Sequence, residues 1–451
     1  MATDKKWPEG KIAVIGFART GEAVARAAKR HGTSIVAIDD QPSEGAAQMA
    51  DDLGVEFVVA PSPSQLYALV KDCVYVVVSP GVPPSHPIFA VASKDQLISE
   101  IELAYLTATA PILAITGTNG KTTVTTLVNQ MMLASGIRST AAGNIGPTLI
   151  DASAREDLDA IVAEVSSFQL AMTKHFRPRV ATWLNFAEDH LDWHPDMDDY
   201  ANAKAKIFSA QQDSDVAVVN INDPVVMAAS SHIAARVVTF GGTDADYFVR
   251  AGHFRTQEGA DLGRINLLPR VLPHDLDNAL AALATALEAG ATIAGCRQAL
   301  AHSVVLPHRV EFVERIDEVD FYDDSKATTP SAVLAAMGSF SSLVLIAGGK
   351  NKGLNLSPLR SFADVHPEIV LRGVIVIGEA APQLKELFSP TYTVRDANSM
   401  SDAVRAAQLL AEPGDVVLLS PGCASFDWYR SYAERGEDFV RCVHELTRAG
   451  G

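Results

Sequence analysis

The chain has 451 residues, 48% of them apolar and 20% charged, with a formal net charge of -17. That length suggests about three domains, and the acidic balance argues against a nucleic-acid binder, whose footprint is a basic surface. Four scattered cysteines (Cys73, Cys296, Cys423, Cys442) form no CxxC pair, which fits a reducing compartment and no zinc cluster. With no signal-type segment and no apolar run of the roughly 18 residues a membrane span needs, a soluble cytoplasmic protein is expected.

Lys11 to Gly16 reads as a buried strand, followed by a turn through Ala18, Arg19, Thr20 and Gly21 and a helix to about His31. A second strand, Ser34 to Ile38, ends at Asp39. This spacing is that of a Rossmann-like βαβ unit with an acid in the ribose position, although Ala18 stands where the second glycine of the fingerprint belongs. Dinucleotide binding, binding of another nucleotide and a purely structural turn all remain open on the residues alone. Strands at Glu56 to Val59 and Val74 to Val78 follow, the latter running into Ser79-Pro80-Gly81. A first domain, residues 1–106, closes there.

The second domain, residues 107–305, opens with an apolar strand from Ile112 to Ile115. It runs into Thr116-Gly117-Thr118-Asn119-Gly120-Lys121-Thr122-Thr123 and a helix. Strand, glycine turn and helix N-terminus make a phosphate cradle in which a lysine reaches the outer phosphates and a hydroxyl can ligate Mg2+. The spacing is not that of the standard P-loop, whose first glycine would fall at Ile115. A strand at Ala160 to Ala163 ends in Glu164, a carboxylate suited to a hard cation. Another at Val180 to Leu184 ends in Asn185 through Asp192. His190 and His194 lie four apart, but Leu191 occupies the place of a zinc-helix general base. Tyr200 to Phe208 reads as an amphipathic helix, on which Lys204 and Lys206 have the pattern of a solvated face. Ser230 to Leu268 looks like edge hairpins, and Asp275 is a plausible N-cap for the helix that ends at Gly290.

The third domain, residues 306–451, alternates strands and helices as a second Rossmann-like, doubly wound unit. Its strand ends carry Asp323 to Thr329, Gly348 to Gly353, Gly378-Glu379 and Ser420 to Asp427. The fold class is therefore α/β. A central P-loop-type ATPase domain with a mainly parallel sheet sits in sequence between two Rossmann-like domains. These residues predict ATP-driven chemistry and leave a ligase, a kinase and an ATPase switch open.

The run Thr116 to Thr122, together with Gly143-Asn144-Ile145-Gly146, Glu164 to Leu170, Asn185 to Asp192, Asp324 to Thr328 and Ser420 to Asp427, resembles the motif series of the Mur ligases of bacterial cell-wall synthesis. The likeness extends over essentially the whole chain, and Asp324-Ser325-Lys326-Ala327-Thr328 is similar to the glutamate-adding branch. It implies phosphorylation by ATP of the carboxylate of UDP-N-acetylmuramoyl-L-alanine, then attack on the acyl phosphate by the amine of glutamate, with D-glutamate the expected enantiomer. The implied enzyme is a cytoplasmic monomer with no membrane insertion, using one or two Mg2+ ions.

The same resemblance assigns roles. Gly117, Thr118, Asn119, Gly120, Lys121, Thr122 and Thr123 would cradle the phosphates, with Asn278, Arg309 and Asp324 along the nucleotide. Lys121, His190 and Lys204 would be catalytic. Thr122, Glu164, His190 and a carbamylated Lys204 would hold metal. Ala18, Arg19, Thr20, Asp39, Ser79, Pro80, Gly81, Asn144, Ser166 and Gln169 would meet the UDP-substrate. Lys326, Thr328, Lys352, Ser425, Phe426 and Tyr432 would meet glutamate. Three positions depart from the family's common residues: Asp275 (Asn), Lys350 (Asp) and Gly422 (Ala).

Overall fold

In the computed structural model, which describes residues 6–449, three sheets carry the chain. The first comprises β1 (Ile12–Ile15), β2 (Ile35–Asp39), β3 (Glu56–Val59), β4 (Tyr75–Val78) and β5 (Leu97–Ile98). All its pairings are parallel, in the order β3-β2-β1-β4-β5. The order reverses between β1 and β4, whose carboxyl ends are the turn at Gly16 and the Ser79 turn, so both open on the crevice where such sheets bind ligands.

The second sheet comprises β6 (Ile112–Thr116), β7 (Ser139–Gly143), β8 (Ala160–Glu164), β9 (Val180–Trp183), β10 (Val216–Asn220), β11 (Arg236–Gly241), β12 (Tyr247–Arg250), β13 (His253–Thr256) and β14 (Asp261–Arg264). Its order is β14-β13-β12-β11-β10-β9-β6-β8-β7. The strand bearing the phosphate loop therefore lies between those ending at Glu164 and at Trp183. Residues of β6, β8 and β10 are all buried, as expected of parallel strands covered on both faces. The edge expected as hairpins is antiparallel only from β12 to β14. The β11–β12 pairing is parallel and no hairpin.

The third sheet holds β15 (Glu311–Ile316), β16 (Val319–Asp323), β17 (Ser342–Gly348), β18 (Val370–Ile377), β19 (Thr393–Asp396) and β20 (Val416–Gly422), in the order β15-β16-β20-β17-β18-β19. Among the described strand pairings of this sheet only β15–β16 is antiparallel. The neighbours β16, β20 and β17 bring three of the polar strand ends side by side.

The chain forms two compact units. One contains the first two sheets, which share a hydrophobic core including Ile101, Ala104, Ile150, Ile161 and Phe176. The other contains the third sheet together with residues 187–192 and 269–275. The two segments holding His190 and Asp275 thus group with the third sheet and not with the second. Asp275 is also not an N-cap. It is the third residue of the helix Pro273–Glu288, and its carboxylate accepts from Leu272 N–H (3.1 Å) and pairs with Arg270 (2.6 Å).

Candidate active site

The phosphate loop leaves β6 at Thr116 and turns at Gly120 into the helix Lys121–Ala134. Gly120 has φ +83, and a Cβ there would stand 2.4 Å from Asn278 Oδ1, so both backbone and space demand glycine. The N–H of Thr118 donates to Asn185 O (3.1 Å) and that of Asn119 to Asn185 Oδ1 (2.8 Å). Lys121, Thr122 and Thr123 form the first turn of that helix, the end at which a helix dipole favours an anion. Lys121 Nζ folds back onto Gly117 O (2.7 Å) and Thr118 O (2.8 Å).

Lys204 overturns its sequence pattern. It lies on the helix Met197–Ala205 but is 1% exposed, and its Nζ donates to Gly117 O at 2.8 Å, the carbonyl that Lys121 also contacts. Its ammonium also sits 4.8 Å from the Tyr200 ring centre. Lys206, on the same helix, donates to Ala171 O.

Glu164 ends β8 and is 2% exposed. Asn144 Nδ2 donates to its Oε1 at 2.8 Å, while its buried Oε2 has no hydrogen-bond partner among the described residues. A buried carboxylate oxygen without a donor is costly; a hard cation is the partner such an oxygen suits. The site therefore fits Mg2+, with the Thr122 hydroxyl on the adjoining helix turn. Ser166 and Gln169, next along the chain, bond to each other as a capping box: Gln169 N–H to Ser166 Oγ (3.3 Å) and Ser166 N–H to Gln169 Oε1 (2.9 Å).

No helix carries His190 and His194, which removes the zinc-helix arrangement. His190 has φ +58 and lies 3.3 Å from Asp189 Oδ2. His194 is fully buried, contacting Asp199 (2.7 Å) and Ser167 Oγ (3.0 Å), and is a packing residue.

In the first sheet Ala18 is the N-cap of the helix Arg19–Arg30, so Arg19 and Thr20 stand in its first turn. Gly21 packs that helix against β1, since a Cβ there would meet Gly16 O at 2.3 Å. Ser79 Oγ donates to Gly16 O (2.8 Å), joining the two strand ends, with Pro80 and Gly81 following. Asp39 takes N–H bonds from Phe17 (2.6 Å) and Gln41 (2.9 Å).

In the second unit Asp324 is buried, accepting from Val310 N–H (3.2 Å) and Ser420 Oγ (2.7 Å). Burial pushes its pKa up to about 7, against the pull of those bonds. The carbonyl of half-buried Arg309 accepts from Arg270 (2.7 Å). Lys326 Nζ lies 3.7 Å from the Tyr432 ring centre, and exposed Lys352 lies 5.8 Å from that of Phe426, itself 62% exposed. Ser425 is buried and Thr328 half-buried on neighbouring strand-end loops. Sequence reading passed over Asn185 as a tether; its position one residue past an apolar strand was the available signal.

A glycine-turn loop contacted by a buried lysine, a buried glutamate with an unpartnered oxygen and a separate doubly wound unit suit an ATP-using enzyme, and comparison with known proteins singles out the ligases among such enzymes. Family models agree: residues 115–286 match the Mur ligase middle domain, and residues 308–423 the Mur ligase, glutamate ligase domain. The fold is also that of the MurF ligase from Thermotoga maritima, solved in complex with ADP (TM-score 0.61, 16% identity, covering 100% of this chain and 98% of that one). The UDP-N-acetylmuramoylalanine–D-glutamate ligase of Desulfosudis oleivorans is 41% identical, covering 97% of this chain and 96% of the relative. That of Geobacter metallireducens is 38% identical, covering 96% and 97%. The chain belongs to the Mur ligase family, in the branch of the UDP-N-acetylmuramoylalanine–D-glutamate ligases.

Proposed function

We propose that the chain joins D-glutamate to UDP-N-acetylmuramoyl-L-alanine at the expense of ATP, in the cytoplasm, as a monomer making a peptidoglycan precursor. The alanyl carboxylate takes the γ-phosphoryl group as the bond from the γ-phosphorus to the bridging oxygen breaks and ADP leaves. The glutamate amine attacks the acyl phosphate carbon and loses a proton, and the tetrahedral intermediate breaks its C–O bond to release phosphate and leave the amide. A carboxylate is a poor electrophile, and phosphorylation supplies the leaving group. The transfer itself is mostly positioning and charge neutralisation.

The observation that carries this reading is the meeting of Lys121 and the buried Lys204 on one carbonyl of the phosphate loop. Lys121 neutralises the γ-phosphate as charge moves onto it. Thr122, Glu164, His190 and a carbamylated Lys204 would hold one or two Mg2+ ions, which supply further neutralisation. A carbamate converts a cation into an anionic oxygen ligand and so accounts for a lysine in a metal site. Asn144, Ser166 and Gln169 line the muramoyl-alanine arm. Arg19, Thr20 and their neighbours take the uracil end, and Asn278, Arg309 and Asp324 the ATP. Lys326, Thr328, Lys352, Ser425, Phe426 and Tyr432 receive the acceptor, whose two carboxylates suit lysine donors.

The test is phosphate release from ATP, Mg2+ and UDP-N-acetylmuramoyl-L-alanine with D-glutamate, L-glutamate or no amino acid. Release dependent on D-glutamate is expected. Preference for L-glutamate would overturn the stereochemical assignment, and no release with either would overturn the substrate pair.

A further inference from the structure

The least economical group in the second unit is Arg435. It sits in the first turn of the helix Tyr432–Ala449 and is 1% exposed. A cation there is opposed twice, by desolvation and by the positive end of the helix dipole. Among the described residues no carboxylate forms an ion pair with it, although Asp427 and Asp323 lie near enough to favour its charge, and its hydrogen-bond acceptors are neutral. Nε donates to Ser325 Oγ (2.9 Å), Nη2 to Ser325 O (2.9 Å) and Nη1 to Cys423 O (3.1 Å). Burial lowers its pKa to about 10, so it stays charged at neutral pH.

Those contacts reach both halves of the acceptor surface. Ser325 precedes Lys326, and its hydroxyl, while accepting from Arg435, donates to Tyr432 O (2.8 Å). The Tyr432 ring in turn lies under the Lys326 ammonium. Cys423 begins the loop that carries Ser425 and Phe426. One rigid guanidinium fork thus pins the loop after β16 to the loop after β20, with its charge partly balanced by Asp323 and Asp427. A lysine in its place offers no such fork.

We propose that Arg435 is the positioning residue of the amino-acid acceptor site, fixing Lys326 and Ser425 and selecting an anionic acceptor. The inference rests on the function proposed above. It predicts a change in affinity for glutamate, not in handling of the other two substrates.

The experiment measures KM for D-glutamate, ATP and UDP-N-acetylmuramoyl-L-alanine, with kcat, on the wild type, Arg435→Lys, Arg435→Gln and Ser325→Ala. Arg435→Lys should raise KM for glutamate about tenfold, the scale of lost hydrogen bonds to a charged group, with the other two KM values within about twofold. Arg435→Gln should raise it further, because the charge is lost as well. Ser325→Ala should raise it about threefold by removing the shared hydroxyl, and it carries the test alone if the arginine variants do not fold. An unchanged glutamate KM in a folded variant, or equal rises for all three substrates, would overturn the proposal. A wild type without glutamate-dependent turnover would instead overturn the function on which it rests.

Discussion

At the scale of single residues, the site is recognised by groups whose surroundings are unfavourable without a ligand. Glu164 keeps one oxygen bonded to Asn144 and leaves the other buried and unpartnered. Glu164→Gln preserves shape and the acceptor for Asn144 but removes the charge a cation requires. Activity should fall by about 100-fold or more, the scale of losing one preorganised electrostatic contact. Half-maximal Mg2+ should shift upward, while the unfolding temperature stays level or rises as an orphaned charge disappears. Phosphate release titrated with Mg2+, alongside thermal unfolding, checks both. Unaltered Mg2+ dependence would remove Glu164 from the metal site. Lys204 teaches the complementary lesson. Its neighbours along the helix predict solvent, whereas the tertiary fold buries it against the phosphate loop, and only the family resemblance carried that information in advance.

At the scale of elements, the parallel strands and their polar ends were legible because each is a short β-rich apolar run stopped by Gly, Ser, Asp or Asn. Elements with weaker patterns were not. The strand at Ser139–Gly143 is three small residues between Ser and Gly, and that at Thr393–Asp396 is polar and mostly exposed at a sheet edge. Glu311–Ile316 (EFVERI) mixes charged and apolar residues without period-2 alternation, because it too is an edge strand and its register shifts between Phe312 and Glu314. The helix Glu100–Thr107 hides its role for a different reason: two of its glutamates face inward. Glu102, 2% exposed, accepts N–H bonds from Lys174 (3.0 Å), His175 (2.7 Å) and Phe176 (2.9 Å). Glu102→Ala leaves three backbone donors without this acceptor, so destabilisation of about 3 kcal/mol or more is expected. Denaturant unfolding checks it, and a change below about 1 kcal/mol would mean that water replaces the carboxylate.

At the scale of the whole molecule, three sheets do not imply three independent folding units. The first two are joined by a common core and by polar links. Glu102 is one, Arg26 to Asp151 (2.9 Å) another, and Glu100 accepting from Ile150 N–H (2.5 Å) a third. The third sheet has its own cores, around Leu345 and Ile346. Calorimetry should therefore resolve two transitions, not three.

Among the described residues, each unit also contains a buried acid whose pKa burial pushes up to about 7, Glu100 in the first and Asp324 in the second. A folded pKa above the unfolded one means that the native state binds more protons between about pH 4 and pH 7. Each group's contribution is fully present below about pH 4 and lost as pH rises through about 7, on the order of 3 kcal/mol apiece. Glu100→Gln should flatten the pH dependence of one transition and Asp324→Asn that of the other, each leaving its counterpart alone. A single transition whose slope both substitutions alter would show that the two units unfold as one.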